Sequence, residues 1–248
     1  MGAYQSEAEL EADLVKRLTN GLGYAPVTLP DMAAMHANLR QQIGIQNGVT
    51  LTDAEFARVL NHLDKGNVFE RAKILRGRMQ LTRDDGTPLY LRFLNTDEWC
   101  QNQYQVATQV TVTGHHKTRF DVTLLVNGLP LVQIELKRRG IELKEAFNQI
   151  NRYQRHSYWA ESGLFNYVQL FVISNGVNTK YYANNRKQDF KQTFFWADEQ
   201  NNLITQLDDF ADKFLETCHV SKMISQYIVL HESDKILMVL RPYQYYAV

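Results

Sequence analysis

The chain has 248 residues, of which 44% are hydrophobic and 22% are charged, and its formal net charge is zero. Such a composition is typical of a globular protein with one sizeable core. No apolar run reaches the roughly 18 residues that a membrane span needs. The acidic, amphipathic start also lacks the basic and apolar regions of a secretory signal. We therefore expect no membrane association.

Two cysteines, Cys100 and Cys218, lie far apart in the sequence and lack the spacing of metal ligands. Disulfides are rare in reducing compartments, and nothing in the sequence suggests an oxidising one. We therefore expect both thiols to be reduced and the protein to be cytoplasmic.

The stretch from His115 to Lys191 is more basic than the chain as a whole. It holds twelve Lys and Arg against six Asp and Glu, a difference of about +6. A basic surface around a small acidic centre suits a phosphate-backbone substrate. A solvated face of mixed sign explains the same charges, so charge alone does not decide.

Three helices are predicted in the first quarter of the chain. Ser6 with Glu9 forms a capping box, and leucines then recur at helical spacing until Gly21. Residues 31–46 predict a second helix, closed by an Asn-Gly pair. Residues 52–63 predict a third helix, which opens on another capping box.

Strand patterns dominate the middle of the chain. Residues 79–112 indicate strands around an Asp-Asp-Gly turn, in an undetermined register. Residues 119–126 and 129–137 indicate two strands joined at Asn127-Gly128, the strongest short hairpin signal. A helix over residues 143–158 and strands over 168–174 and 179–183 follow. This order predicts an α/β fold with a sheet flanked by helices.

Glu135 and Lys137 stand at the end of the second hairpin strand. Side chains at i and i+2 of a strand point to the same face, so this acid and this lysine project together. Strand ends are often polar, and a lone Glu-x-Lys pair is more often an exposed ion pair of little energetic weight than a catalytic one.

Asp121 strengthens the catalytic interpretation if it faces Glu135. A two-residue Asn127-Gly128 loop would place Asp121 opposite Ile134, so its side chain would point to the opposite face of the sheet from Glu135. A three-residue loop or one β-bulge shifts the parity and brings Asp121 across from Glu135. We therefore predict a three-residue connection or a bulge.

Two facing carboxylates and a lysine suit metal-assisted hydrolysis. Carboxylates that face each other repel unless they are protonated or bridged by a cation. A few hard oxygen ligands suit Mg²⁺, which activates water and stabilises charge on a phosphate. Lys137 is placed to position the attacking water or offset the developing charge. Gln149 and Tyr153, four residues apart on the next helix, can face the same site and contact DNA.

The segment RFDVTLLVNGLPLVQIELK, followed by NQINRY, resembles the nuclease domain of the type I restriction enzyme motor subunit. That domain lies in the PD-(D/E)xK superfamily, in the RecB-like branch with a Gln-x-x-x-Tyr element. The resemblance covers residues 1–230 and is specific over 118–153. It implies a restriction-endonuclease-like core with a mixed central sheet. In this chain Phe120 replaces the proline of the superfamily motif.

The resemblance also implies the site residues and the cofactor Mg²⁺. The early helical glutamate of the family corresponds to Glu11 or, less closely, to Glu7. The other implied roles are metal ligation by Asp121, Glu135 and the Leu136 carbonyl, catalysis by Lys137, and an accessory function for Gln149 and Tyr153.

Other polar residues carry weaker signals. His115 and His116 are adjacent and point opposite ways in a strand, so a surface pair is favoured over a metal site. Several arginines can hold phosphates, although a solvated helix face explains them almost as well: Arg138, Arg139, Arg152 and Arg155.

We expect a Mg²⁺-dependent endonuclease domain that hydrolyses double-stranded DNA within an ATP-dependent restriction enzyme. Its expected partners are specificity and methyltransferase subunits. Residues 231–248 resemble the start of a helicase-like motor, and the chain has no phosphate-binding loop, so ATP would act only in a longer subunit. The alternatives are a repair or recombination nuclease of the same superfamily and a catalytically silent DNA-binding or docking domain.

Overall fold

The computed structural model describes residues 5–113, 117–153, 163–185 and 187–247. Four features of the sequence interpretation lie outside these residues: the histidine pair, one of the arginines, the end of the fourth predicted helix and the last residue of the chain. These are His115, His116, Arg155, the stretch after Tyr153 and Val248.

The chain folds into a mixed sheet with helices around it. The helices are α1 (Glu7–Gly21), α2 (Met32–Asn47), α3 (Asp53–Leu63), α4 (Val68–Arg76), α5 (Leu143–Tyr153), α6 (Leu207–Phe214), α7 (Thr217–Lys222) and α8 (Pro242–Tyr245). None of these described helices is both long and apolar enough to cross a membrane.

Six of the strands form the central sheet and the others form two-stranded pairs. The strands are β1 (Ala25–Pro26), β2 (Arg78–Thr82), β3 (Pro88–Arg92), β4 (Tyr104–Thr108), β5 (Thr111–Thr113), β6 (Lys117–Arg119), β7 (Val122–Val126), β8 (Leu129–Leu136), β9 (Leu170–Ser174), β10 (Thr179–Ala183), β11 (Trp196–Ala197), β12 (Leu203–Ile204), β13 (Ile228–His231) and β14 (Ile236–Val239).

The central sheet has the order β1-β4-β7-β8-β9-β10. β1 pairs with β4 and β8 with β9 in parallel, and the other neighbours are antiparallel. α1 packs against β4 and β8, while α5 packs against β8 and β9. The α/β fold with a mixed sheet flanked by helices is therefore confirmed, and it is consistent with a restriction-endonuclease-like core.

The first three helices begin within one residue of their predicted starts, and each has a capping residue. Both capping boxes are present, at Ser6 with Glu9 and at Thr52 with Glu55. α2 is capped by Asp31, whose side chain accepts from the Ala34 amide. The predicted boundaries follow because each cap satisfies amides that the helix itself leaves unpaired.

The sequence pattern does not predict α4. Its buried face includes Arg71, so the apolar spacing is interrupted. The Arg71 guanidinium is held by the carbonyl of Gly66 at 3.1 Å and by the carboxylate of Asp64 at 3.0 Å. A charged residue is tolerated there because its donors are paired.

The predicted strands after α4 divide between two sheets. β2 and β3 form a separate hairpin in which Leu81 pairs with Leu89, whereas β4 joins the central sheet.

At the other end of the chain, β13 and β14 pair with each other. Tyr181 of β10 donates its hydroxyl to the Leu240 carbonyl at 2.7 Å. The domain boundary near residue 230 stays a prediction, and the residues on either side of it share one hairpin.

The two cysteines form a disulfide, whereas the sequence interpretation expected reduced thiols. Cys100 lies in a 3₁₀ turn and Cys218 in α7. Their Cα atoms are 4.6 Å apart although 118 residues separate them. Sequence spacing did not reveal this proximity because it arises from the packing of α7 against the turn.

The β7–β8 hairpin contains the bulge that the catalytic interpretation requires. Leu124 pairs with Val132, but Leu125 pairs with Pro130, so Leu131 is an extra residue on β8. Pro130 has no amide hydrogen, and proline in a sheet is characteristically found at edges and bulges. The loop itself has two residues, so of the two predicted alternatives the bulge is the one that occurs.

The turn of this hairpin is buried and fixed. Asn127 and Gly128 have φ values of 50° and 80°, the left-handed conformation of a type I′ turn. The Asn127 amide donates to the Phe93 carbonyl at 3.0 Å and to Asn102 Oδ1 at 2.7 Å, and its oxygen accepts from the Gln103 amide at 2.8 Å. These contacts hold the hairpin in one register.

Gly128→Ala is expected to destabilise the protein by on the order of 2–4 kcal/mol, because it combines left-handed backbone strain with overpacking. A Cβ at Gly128 would lie 2.8 Å from the Leu39 Cα. The matched control is Gly86→Ala, since Gly86 has a similar φ of +85° but no atom within 4 Å of its Cβ position. Urea unfolding measures both variants, and equal losses would contradict a buried, tightly packed turn.

Candidate active site

The bulge brings Asp121 and Glu135 opposite each other at the open end of the β7–β8 pair. Val122 pairs with Ile134, so the next residue on each strand is Asp121 and Glu135. Asp121 Oδ2 accepts a hydrogen bond from the Leu136 amide at 2.8 Å. The Asp121 carbonyl accepts from the Gln109 amide at 3.0 Å. Backbone contacts on both sides therefore fix the position of this aspartate.

Glu135 is an acid placed where its charge is poorly solvated. Its side chain is 0% exposed, and its Oε2 atom has no hydrogen-bond partner among the residues that the structure describes. Burial, and after it the nearby charge of Asp121, raises the pKa of Glu135 to about 8. The site thus holds two carboxylates whose repulsion favours either a proton or a cation between them.

Lys137 supplies the positive charge beside this pair. Its ammonium donates to Glu135 Oε1 at 3.1 Å and to the Leu136 carbonyl at 2.9 Å. The Lys137 amide donates to the Ser174 carbonyl of β9 at 2.8 Å, which anchors the backbone just after the strand. Because its side chain is only 12% exposed, the ammonium is held near the acids. The predicted projection of Glu135 and Lys137 to one face is confirmed.

The accessory pair Gln149 and Tyr153 lies on α5 at the same site. The Gln149 amide donates to the Tyr153 hydroxyl. Burial and then the charge of Glu135 raise the pKa of Tyr153 to about 12, so the hydroxyl stays protonated at neutral pH. Phe120 packs edge-on against the Tyr153 ring, with 5.4 Å between centroids. Its amide donates to the Val110 carbonyl at 3.1 Å, a bond that proline at this position would lack.

The first turn of α1 places Glu7 beside the lysine. Glu7 Oε1 accepts from the Arg138 amide at 3.2 Å, and Glu7 Oε2 lies 4.0 Å from the Lys137 ammonium. Glu11, one turn later, accepts from the Gln109 side chain at 3.3 Å. The resemblance implies Glu11 before Glu7 as the family's glutamate, and the choice between these two acids stays a prediction. Helical spacing could not decide between them because both acids lie on related faces of α1.

The oxygen atoms at the site fit a hard divalent cation. Within the part of the chain that the structure describes, no group of three or more His, Cys, Asp or Glu could hold a metal ion. The donor set is instead two carboxylates and the carbonyl of Leu136, and one buried Glu135 oxygen lacks a partner. Mg²⁺ characteristically takes one or two carboxylates and completes its shell with water and phosphate oxygens.

The basic residues beyond the strand face solvent. Arg138 and Arg139 follow Lys137 directly, and Arg152 lies on α5 next to Tyr153; all three side chains are exposed. Exposed arginines at this position can contact a phosphate backbone, as the sequence interpretation proposed.

Comparison with known proteins gives a family and several relatives. The family model described as the N terminus of the type I restriction enzyme R protein matches residues 4–190. The chain is 48% identical over 252 aligned residues to the SauCOLORF180P type I restriction enzyme endonuclease subunit of Staphylococcus aureus strain COL. That alignment covers 99% of this chain and 27% of the relative, so the chain spans about a quarter of that relative's length.

Two further relatives come from more distant organisms. The EcoprrI type I restriction enzyme endonuclease subunit of Escherichia coli is 43% identical over 251 residues, covering 98% of this chain and 80% of the relative. A putative type I endonuclease subunit of Methanocaldococcus jannaschii is 38% identical over 107 residues, covering 40% of this chain and 10% of the relative.

In a chelating buffer, the stability of the wild-type protein is expected to fall as the pH rises from about 5 to about 9. Folding raises the pKa of Glu135 from 4.5 to about 8, so the folded state binds a proton that the unfolded chain has released. This contribution to stability is full below the unfolded pKa and is lost as the pH rises through the folded pKa. Glu135→Gln should flatten the dependence, as measured by urea midpoints across the range.

Glu145→Gln provides the matched control for this pH series. Glu145 is an exposed glutamate in the first turn of α5. Its replacement should leave the wild-type pH dependence intact. An unchanged slope in Glu135→Gln would contradict the account of a buried, repelled carboxylate.

Proposed function

Because the chain belongs to the family of type I restriction enzyme R protein N termini, we propose that it is the domain that hydrolyses phosphodiester bonds of double-stranded DNA. The observation that carries this proposal is the pairing of Asp121 with a buried Glu135 beside Lys137. A purely structural site would not be expected to keep a buried carboxylate oxygen without a partner. The names of the relatives, all endonuclease subunits of restriction enzymes, point to the same activity.

The oxygen atoms of Asp121, Glu135 and Leu136 would hold Mg²⁺, which polarises the scissile phosphate and lowers the pKa of a water molecule when bound. The Leu136 amide keeps Asp121 Oδ2 in place at 2.8 Å, so this carboxylate needs no reorganisation. Burial of Glu135 excludes bulk water from one side of the site. Both features keep the acids positioned before DNA arrives.

Lys137 has the positioning and charge for two tasks in hydrolysis. Its ammonium donates to Glu135 Oε1 and the Leu136 carbonyl, two of the oxygens that would hold Mg²⁺, so a bound ion would displace it from them to the edge of the acidic pair. From there it can orient the attacking water and offset the negative charge that builds up on the phosphate. Glu7, 4.0 Å away, limits the freedom of the ammonium from the opposite side.

DNA would approach across the exposed arginines and α5. Arg138, Arg139 and Arg152 can neutralise phosphates, and Gln149 with Tyr153 can bond a phosphate oxygen next to the acids. Contacts of this kind involve the phosphate backbone and do not depend on the base sequence. We therefore assign sequence recognition to specificity and methyltransferase subunits of a restriction complex, and ATP-driven translocation to a longer subunit.

The test is Mg²⁺-dependent plasmid cleavage by the assembled restriction enzyme with ATP present. Asp121→Asn and Lys137→Met are expected to reduce cleavage by about a hundredfold or more, the scale of losing a main catalytic electrostatic group. ATP hydrolysis should be retained, because the variants leave the motor untouched.

Two exposed residues on α6 provide matched controls, Asp209→Asn and Lys213→Met, and both should cleave like the wild type. Normal cleavage by both active-site variants would overturn the proposal and favour a DNA-docking domain. Loss of ATP hydrolysis together with cleavage would also count against it, because the defect would then lie upstream of the cut.

A further inference from the structure

An open cleft of about 630 Å³ lies beside the candidate active site. One wall is the segment from Arg139 to Lys144, and the other is the turn after β9, from Asn175 to Asn178. Phe190 and Phe195 close its far side. A volume of this size falls within the range of small-ligand sites, roughly 300–1,000 Å³.

One wall begins just after β8, the strand that carries Glu135, and the other begins just after β9, its parallel neighbour in the sheet. Arg139 is two residues after Lys137, whose amide bonds the carbonyl of Ser174 at 2.8 Å. Asn175 follows Ser174, and its side-chain amide donates to the Ile141 carbonyl at 2.7 Å. This bond ties the two walls together, so the cleft is fixed relative to the acids.

The lining combines aromatic rings with cations. Phe190 and Phe195 are partly exposed, and the ammonium of Lys180 lies 4.9 and 4.7 Å from their ring centroids. Phe147 of α5 packs edge-on against Phe190, with 5.5 Å between the ring centroids, and so restricts the position of the Phe190 ring. The aromatic wall is therefore held in place by its neighbours.

The rim of the cleft carries a net positive charge. Arg139 and Lys144 are exposed on it, and Glu142 is the one acid among its lining residues. The side chain of Asn178 makes no hydrogen bond with any other residue that the structure describes. Its amide can both donate and accept, which suits the polar edge of any nucleobase.

We propose that this cleft binds an unpaired base of the DNA next to the bond that is cut. The inference rests on the proposed nuclease function and specifies the form of its substrate. Bases inside a duplex are stacked on both faces, so aromatic rings can reach only a base that has left the stack. Rings that stack bases beside cations that hold phosphates are typical of sites for single-stranded DNA. The cleft accordingly favours DNA that is locally opened at the cleavage site.

The test is binding of single-stranded DNA to the full chain in EDTA, where no cutting can occur. Fluorescence anisotropy with a labelled 12-nucleotide strand is compared with the duplex of the same sequence. Phe190→Leu and Phe195→Leu keep an apolar side chain but remove the ring. Each is expected to weaken single-strand binding about tenfold, the scale of one lost stacking contact, with duplex binding changed less than about twofold.

Tyr90→Leu is the matched control, because Tyr90 is a 59% exposed aromatic residue on the separate β2–β3 hairpin. It should bind both forms of DNA like the wild type. A strand with abasic sites should bind the wild-type protein about tenfold more weakly than the intact strand does. This abasic strand should bind the wild type and the two phenylalanine variants with equal affinity, because it has no base to stack on the rings. Thermal unfolding checks that all variants are folded.

Unchanged single-strand binding in both phenylalanine variants, or equal losses for single strand and duplex, would overturn the proposal. ATP is titrated as a competitor to separate a DNA base from a free nucleotide. Phenylalanine-dependent binding of ATP without phenylalanine-dependent binding of the strand would also overturn it. Because these measurements need no cleavage, their failure leaves the roles of Asp121 and Lys137 to be judged by the cleavage test alone.

Discussion

The extra residue Leu131 in β8 sets which side chains meet at the open end of the β7–β8 pair. Without it, the two-residue turn at Asn127-Gly128 would put Asp121 and Glu135 on opposite faces of the sheet. With it, both acids lie across from each other, and the Leu136 amide bonds Asp121 directly. The buried turn prevents the register from slipping, so one inserted residue and one fixed turn together create the site.

The cost of this arrangement is electrostatic. Burial of Glu135 and the nearby charge of Asp121 raise its pKa to about 8, and one of its oxygens has no hydrogen-bond partner among the described residues. Lys137 offsets part of that charge from 3.1 Å. The remaining unfavourable interaction would be relieved by a cation or by a proton, so the proposed metal binding and the predicted pH dependence of stability have the same physical origin.

Much of this architecture follows from local signals in the sequence. Capping boxes predicted the starts of α1 and α3, and the Asn-Gly pair predicted the hairpin. Strand periodicity also identified Glu135 and Lys137 as neighbours on one face. Other features depend on packing between distant segments: the choice of a bulge over a longer loop, the Cys100–Cys218 disulfide, and the approach of Glu7 to Lys137. Local sequence patterns cannot predict these contacts, because neither residue of a contact is marked by an unusual pattern in its own segment.

The most direct test of the account is the location of a bound divalent cation in crystals of the chain soaked with Mn²⁺, a Mg²⁺ substitute that scatters anomalously. The account predicts one strong anomalous peak within coordination distance of Asp121, Glu135 and the Leu136 carbonyl, and its loss in Glu135→Gln crystals. No peak at this position at saturating Mn²⁺, or a peak that persists in the variant, would contradict the claim that the bulged hairpin builds a metal-binding nuclease site.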